Sequence, residues 1–492
     1  MGLEIDRDQF ESRDYDRFAD RLASCLGVLE ELLARPGFGR GPAELGAELE
    51  LALIDEDARA LPLNEEVLRE TVDDRMTVEL DRFNLECNLV HCGLEGGPFA
   101  HLRREIESAG RELERAAAIH GGRVAMIGIL PTLSEGDLQA GAMTDAIRYR
   151  ALSRSLRARR GGPFQLDIDG ADPLRLDCDD VTYEGAATSL QLHLRVPPEQ
   201  FADVFDAVQL ATAPALAVGA NSPTLLGHRL WDETRVALFK QAVDERGPAS
   251  RTRAARVSFG AGWLEEGAIE LFRQAVRDYG VLLPVLDGED PDEALEAGRV
   301  PALREIRLHQ GTVWSWNRPV YHPHGGGHVR IELRALPSGP TAVDMVANAA
   351  FLVGLGLGLA PEMPRLREAI DFEAAHSNFY RAAQRGLDAE LLWPDLESGG
   401  SRPRKAGELV RELGGLAREG LARFGVDADE ADEAITTVER RAAAGRTGAG
   451  WQRARLERLG RGHPTSDALA RMLEDYVARS ASGVPVHEWS LD

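Results

Sequence analysis

Four short stretches of the chain alternate between apolar and polar residues. They are Gly46-Ala47-Glu48-Leu49-Glu50-Leu51, Leu85-Glu86-Cys87-Asn88-Leu89, Leu190-Gln191-Leu192-His193-Leu194 and Arg330-Ile331-Glu332-Leu333-Arg334. Side chains along a strand point to opposite faces with a period of two. Each stretch therefore predicts a strand with one apolar face. The opposite face carries Glu48 with Glu50, Glu86 with Asn88, Gln191 with His193, and Glu332 between Arg330 and Arg334. Glu79 starts the segment 76–90, read as one extended run that also holds Glu86.

A solvated strand face mixes Thr, Ser, Lys and Arg, and any one of these strands alone fits a sheet with one wet side. Together they gather Glu48, Glu50, Glu79, Glu86 and Glu332 around a single imidazole, His193. If the strands are neighbours, these like charges repel. Divalent cations remove that penalty, and carboxylate oxygens suit Mg²⁺, with Mn²⁺ as an alternative. Metals beside Arg330 and Arg334 would make a polyphosphate site, because both neutralise charge that develops in phosphoryl transfer.

The remaining periodicities predict helices at 14–34, 99–120, 144–160, 199–219, 229–243 and 265–279, a short buried strand at 124–130, and an acidic loop near 287–301. The uncharged run Met345 to Pro361 contains three glycines and reads as a buried helix with close neighbours. Residues 362–492 read as polar helices, punctuated by a loop from Glu397 to Arg404 and by the stretch Gly445 to Gly450. Strands and helices do not alternate as a parallel sheet requires, so the class is antiparallel α+β. The expected organisation is an N-terminal helical segment (1–43), a catalytic domain (44–361) and a C-terminal helical extension (362–492).

Charge narrows the partners. Lys plus Arg is 57 against 81 for Asp plus Glu, a net charge of −24. Such a surface repels nucleic acid and anionic membrane, so an anionic substrate needs a local group of cations. Four cysteines in this length suit a reducing compartment. The charged first twenty or so residues lack the apolar stretch of a signal peptide. A cytoplasmic protein is expected, with room for a homo-oligomer.

The ordered set of motifs resembles the type 2 glutamate–cysteine ligase family, also described as carboxylate–amine ligases. It comprises the Gly-x-Glu-x-Glu strand, the Glu79/Glu86 pair, Thr188-Ser189-Leu190-Gln191-Leu192-His193, Asn221-Ser222-Pro223 and Ile331-Glu332-Leu333-Arg334. The resemblance covers about residues 44–360. It implies a curved antiparallel sheet with helices on its outer face, as in the glutamine synthetase and guanidino kinase superfamily, with ATP and Mg²⁺ in the concave face. It implies a ligase joining a carboxylate, typically the γ-carboxylate of glutamate, to an amine such as cysteine. Carried over, Glu48, Glu50, Glu79, Glu86, His193 and Glu332 match metal-ligand positions, and Arg334 matches an arginine at the transferred phosphoryl group. Glu332 and Arg334 are thus the catalytic candidates, and Gln191 and Arg330 candidates for binding substrate or nucleotide. One departure is Ala335-Leu336-Pro337, where some members carry an acidic residue. The alternatives are a nucleotide or metabolite sensor that keeps the acidic face, and a metal-dependent hydrolase.

Other features stay open. Arg318, in Trp314-Ser315-Trp316-Asn317-Arg318-Pro319, either binds the carboxylate substrate or lies exposed beside a packed Trp314. Arg235 either grips substrate or phosphate, or forms a helix salt bridge with Asp232. His322, His324 and His328 flank three glycines; they read as a flexible connection before a transition-metal site, with a backbone cradle near nucleotide as a further option. Cys87, His91 and Cys92 lack a second pair of ligands, and Cys87 falls on the apolar face of its strand.

Overall fold

The alternating stretches pair with one another. The protein is described by a computed structural model over residues 3–247, 252–396, 399–460 and 462–492. Its central sheet has seven strands: β1 (Glu44–Ile54), β2 (Met76–Val78), β3 (Asn84–Gly93), β4 (Arg123–Ala125), β5 (Leu190–Arg195), β6 (Asn317–His322) and β7 (His328–Leu333). The order is β6-β7-β5-β1-β3-β2, with β4 also on β1. Every pairing is antiparallel.

Period two sorts the side chains. Leu49, Leu85, Cys87, Leu192 and Leu333 turn to the core and are fully buried. The helices framing the sheet are α1 (Ser12–Ala34), α2 (Pro98–Ala118), α3 (Ile147–Arg160), α4 (Phe201–Gly219), α5 (Arg304–Gln310), α6 (Ala342–Leu359), α7 (Ala406–Arg423) and α8 (Ala428–Ala444). Of these, α2 packs on β1, β3 and β4, and α6 packs on β5, α4 and α7.

The apolar run forms α6, a buried helix. Thr341 caps it, its hydroxyl accepting from the Asp344 N–H at 3.0 Å. Its glycines meet close neighbours: a Cβ at Gly354 would lie 2.6 Å from the Ala417 carbonyl oxygen. Both α4 and α6 belong to helices long and apolar enough to cross a membrane, yet 89% of each apolar window is buried inside the protein. The chain beyond 361 joins this core. Arg441 of α8 reaches Asp344 of α6 at 2.7 Å, and both side chains are buried.

Several sequence readings change. The run 76–90 is two strands, because a turn at Asp81 intervenes; its carbonyl accepts from the Asn84 N–H at 2.9 Å. The turn folds β2 back so that Thr77 stands opposite Glu86. Only residues 123–125 of the stretch 124–130 join the sheet. Beyond them Gly128 backs onto Ser222 and Pro337, where a Cβ would be 3.1–3.2 Å from either. The helix expected at 229–243 begins at Arg235, since His228–Arg229 pairs with Thr224–Leu225 as a small hairpin. The acidic loop contains the helix Pro291–Glu296, capped by the Asp290 side chain. The polar C-terminal part also holds a hairpin, Glu390–Asp395 with Gly400–Lys405, where a loop to Arg404 was expected. Residues 397 and 398 of that loop lie outside the described residues.

Candidate active site

Strand register decides which polar side chains meet. Across β1 and β3, Glu50 stands opposite Glu86 and Glu48 opposite Asn88. Across β1 and β5, Glu48 stands opposite Gln191. Glu332 of β7 faces His193 on one side and Arg318 of β6 on the other. Glu48, Glu50, Glu79, Glu86, Gln191, His193, Arg318, Arg330, Glu332 and Arg334 all line one cavity of about 360 Å³.

The middle of the cavity is closely paired. Both Glu332 oxygens accept from Arg318, and Arg334 adds a contact at 3.3 Å. Burial opposes ionisation of Glu332, but Arg318, Arg334 and His193 hold its carboxyl well below the usual range. Glu50 accepts from the Ser189 N–H at 2.6 Å, the Ser189 hydroxyl at 2.9 Å and the Gln191 amide at 2.7 Å. The Gln191 carbonyl accepts from Arg334, so Gln191 bridges the two charged groups in a fixed orientation. His193 Nε2 is 3.2 Å from Glu48 and 4.0 Å from Glu332. Arg330 Nε donates to His193 Nδ1 at 2.8 Å. An arginine N–H can only donate, so the neutral ring keeps its proton on Nε2.

The β2 end is different. Glu79, Glu86 and Glu184 gather there, Glu184 coming from the short helix Thr182–Gly185. Burial, followed by Glu86, Glu50 and Glu184, pushes the Glu79 carboxyl well above its ordinary value. Burial with Glu48 and Glu50 raises Glu86, although its hydrogen bond with Glu79 works the other way. Burial and Glu50 push Glu184 up to about 7. Burial and the crowding of carboxylates thus work against ionisation of both Glu79 and Glu86. A divalent cation fits that place, because it satisfies both as carboxylates. Glu79, Glu86 and Glu50 are the residues that could hold it, with Glu48 alongside. Glu48, His193 and Glu332 also bring ligand atoms within 4.8 Å of one another. For His193 to ligate, however, Arg330 must release Nδ1.

Two expected substrate residues are placed otherwise. Arg235 is 3% exposed and does not line the cavity. It binds Glu233 at 2.7 Å, rather than Asp232, and donates to the Ala335 carbonyl at 2.6 Å. Arg318 lines the cavity, but its N–H groups are committed to Glu332 and to the carbonyls of Gln310 and Val313, both at 3.1 Å. It positions Glu332 and has little left for a substrate. The histidine loop is the β6–β7 turn, in which Gly325, Gly326 and Gly327 all have positive φ. His322 pairs with His328 there, ring centroids 5.0 Å apart. Cys87 is buried in the core.

Sequence reasoning missed Glu184, Arg148, Tyr149 and Arg307, which also line the cavity. Tyr149 donates to the Val78 carbonyl at 3.3 Å, and Arg148 to the Leu3 carbonyl at 2.8 Å. All four come from helices, so strand alternation gave no signal for them.

The sequence model of glutamate–cysteine ligase family 2 matches residues 44–475. The chain belongs to that family. It is an ATP-dependent C–N ligase. The family match runs well beyond residue 360, in keeping with the packing of α7 and α8 against α6. No curated protein sequence matches the chain significantly. A solved glutamate–cysteine ligase of Francisella tularensis, in complex with AMP, is similar at 12% identity, covering 92% of this chain and 91% of its own, with a TM-score of 0.54. A bifunctional glutathione synthetase of Pasteurella multocida shares 12% identity over 95% of this chain and 55% of its own, at a TM-score of 0.47. The first likeness shows that the chain shares the fold of that ligase.

Proposed function

We propose that this ligase uses ATP to activate the γ-carboxylate of glutamate and joins it to an amine such as cysteine, with Mg²⁺ as the metal. One observation carries this reading: in a member of this family, buried carboxylates line the same cavity as Arg334. A carboxylate is a poor acyl donor because oxide is a poor leaving group. Attack of its oxygen on the γ-phosphorus of ATP gives an acyl phosphate and ADP. The amine then adds to the acyl carbon, and phosphate leaves with the C–O electron pair as the amine gives up a proton.

The chain's own residues serve the first step by holding reactants in line and matching charge. Arg334, fixed by Glu332 and Gln191, presents a guanidinium for the equatorial oxygens of the transferred group. Arg318 keeps Glu332 ionised and in place. Glu184, beside the metal-binding carboxylates, offers a carboxylate to the ammonium form of the incoming amine. Mg²⁺, where bound by Glu79, Glu86 and Glu50, supplies Lewis-acid neutralisation of the phosphates.

The test is ADP release from ATP and Mg²⁺ with glutamate and a panel of amines, cysteine first. Turnover that needs both acid and amine supports the ligation proposed. Release that needs glutamate but no amine would leave a kinase-like step only. Nucleotide binding without release under every pairing would overturn the glutamate assignment.

A further inference from the structure

The β6 end of the cavity gathers guanidinium groups, and among the described residues one of them, Arg307, has no carboxylate set against it. Arg307 projects from α5 into the cavity wall beside Tyr321, His322 and Arg330. It is partly buried, and among the described residues no hydrogen bond or ion pair reaches its guanidinium. Burial and the like charge of Arg304 both work against its charge, and the neutral Tyr321 phenol lies in the same wall. Among the described residues Arg330 donates one hydrogen bond, from Nε to His193, and its side chain lines the cavity. Arg307 and Arg318 both press on Arg330 as like charges, with Glu48 and Glu332 the carboxylates within reach. Glu332 is already taken by Arg318 and Arg334.

This arrangement is unusual in a chain of net charge −24, where carboxylates outnumber cations. Two partly buried guanidiniums side by side repel and lose hydration. An oxyanion between them reverses both penalties, because the planar guanidinium fork matches carboxylate and phosphate oxygens. His322 adds a neutral ring at the same place. Burial, then Arg330, His324 and Arg307, push its pKa down to about 4.

We infer that Arg307 and Arg330 form an oxyanion subsite that receives a carboxylate or phosphate group of a substrate. The inference rests on the ligase reading for the source of that group. A second carboxylate on the acid substrate is one source, and a nucleotide phosphate is the other. Either way Arg307 takes the recognition role that the family resemblance suggested for Arg318. Engagement of Arg330 by the anion would also draw it from His193 Nδ1 and free that ring to change tautomer.

The test is isothermal titration of the full chain and its Arg307→Met and Arg307→Lys variants with L-glutamate, with MgATP, and with inorganic phosphate. Thermal unfolding is recorded first. If the methionine variant unfolds early, the lysine variant, which keeps the charge and loses the fork, carries the comparison. A weakening of about tenfold or more for glutamate, with MgATP unchanged, supports a carboxylate subsite; the reverse supports a phosphate subsite. Partial recovery with lysine supports both assignments against a merely structural role, as does an upward move of the His322 pKa by NMR when ligand binds. If wild type binds phosphate in an Arg307-dependent way but neither substrate, the ligase reading falls and the subsite stands. Unchanged affinity for all three ligands in the variants, or no binding of any to wild type, overturns the subsite.

Discussion

The two ends of the cavity gather charge of opposite sign, while the middle is closely paired. At the β2 end, Glu79, Glu86 and Glu184 press on one another. At the β6 end, Arg307 and Arg330 do the same with the other sign. Between them Glu332 binds Arg318 and Arg334 as an ordinary buried ion pair would. A fold selected only for stability would bring the surplus charges together. Keeping them apart destabilises the empty protein and leaves room for a ligand that is cationic at one end and anionic at the other. Magnesium with nucleotide and a dicarboxylic amino acid has that distribution.

The largest effect should come from emptying the acidic end. Glu86→Gln is expected to lower ADP release by more than about a hundredfold while circular dichroism stays unchanged. Unchanged turnover would remove Glu86 from the metal set. Next, Arg334→Met should lower kcat by about a hundredfold, with the KM for ATP less affected. A loss confined to KM would assign Arg334 to ground-state binding. A smaller effect concerns stability. Mg²⁺ should raise the unfolding temperature of wild type, and by much less in Glu79→Gln. The glutamine variant should also start from a higher value without metal, because a repulsion is gone. An equal rise in both proteins would place the cation elsewhere.

The smallest effect separates the two ends by pH. Glu184 has its folded pKa raised from 4.5 to about 7, so without metal it subtracts stability as pH rises from 4.5 through 7. His322 has its folded pKa lowered from 6.5 to about 4, so its contribution is lost as pH falls from 6.5 toward 4. Glu184→Gln should therefore gain most, relative to wild type, at pH 8. His322→Gln should gain most at the acid end of its window, near pH 4. Urea midpoints across pH measure both, and parallel curves for the two variants would erase the distinction between the ends.

The acidic strands were legible in the sequence because alternation fixes faces. Once β1, β3, β5 and β7 are adjacent, Glu48, Glu50, Glu86, His193 and Glu332 must meet. The glycines of α6 were legible for a similar reason, since a buried apolar helix needs close neighbours. Strand β6 was hidden by Pro319, which an edge strand tolerates because no inner ladder requires its N–H. The link from Glu79 to Glu86 depended on a turn at Asp81 that the extended reading ran through. Arg307 and Glu184 were out of reach because each sits on a short helix of seven residues or fewer. Only tertiary packing turns those helices toward the cavity. Arg318 and Arg235 were visible as residues, but their partners, Glu332 and Glu233, emerge only with the fold.

The most direct measurement is anomalous scattering from Mn²⁺ in crystals grown with a non-hydrolysable ATP analogue. The account predicts a peak between Glu79 and Glu86, with metal–oxygen distances of about 2.0–2.3 Å and the analogue's phosphates in the same cavity. Nucleotide bound with no metal peak at those two carboxylates, or a peak outside the cavity, would contradict it.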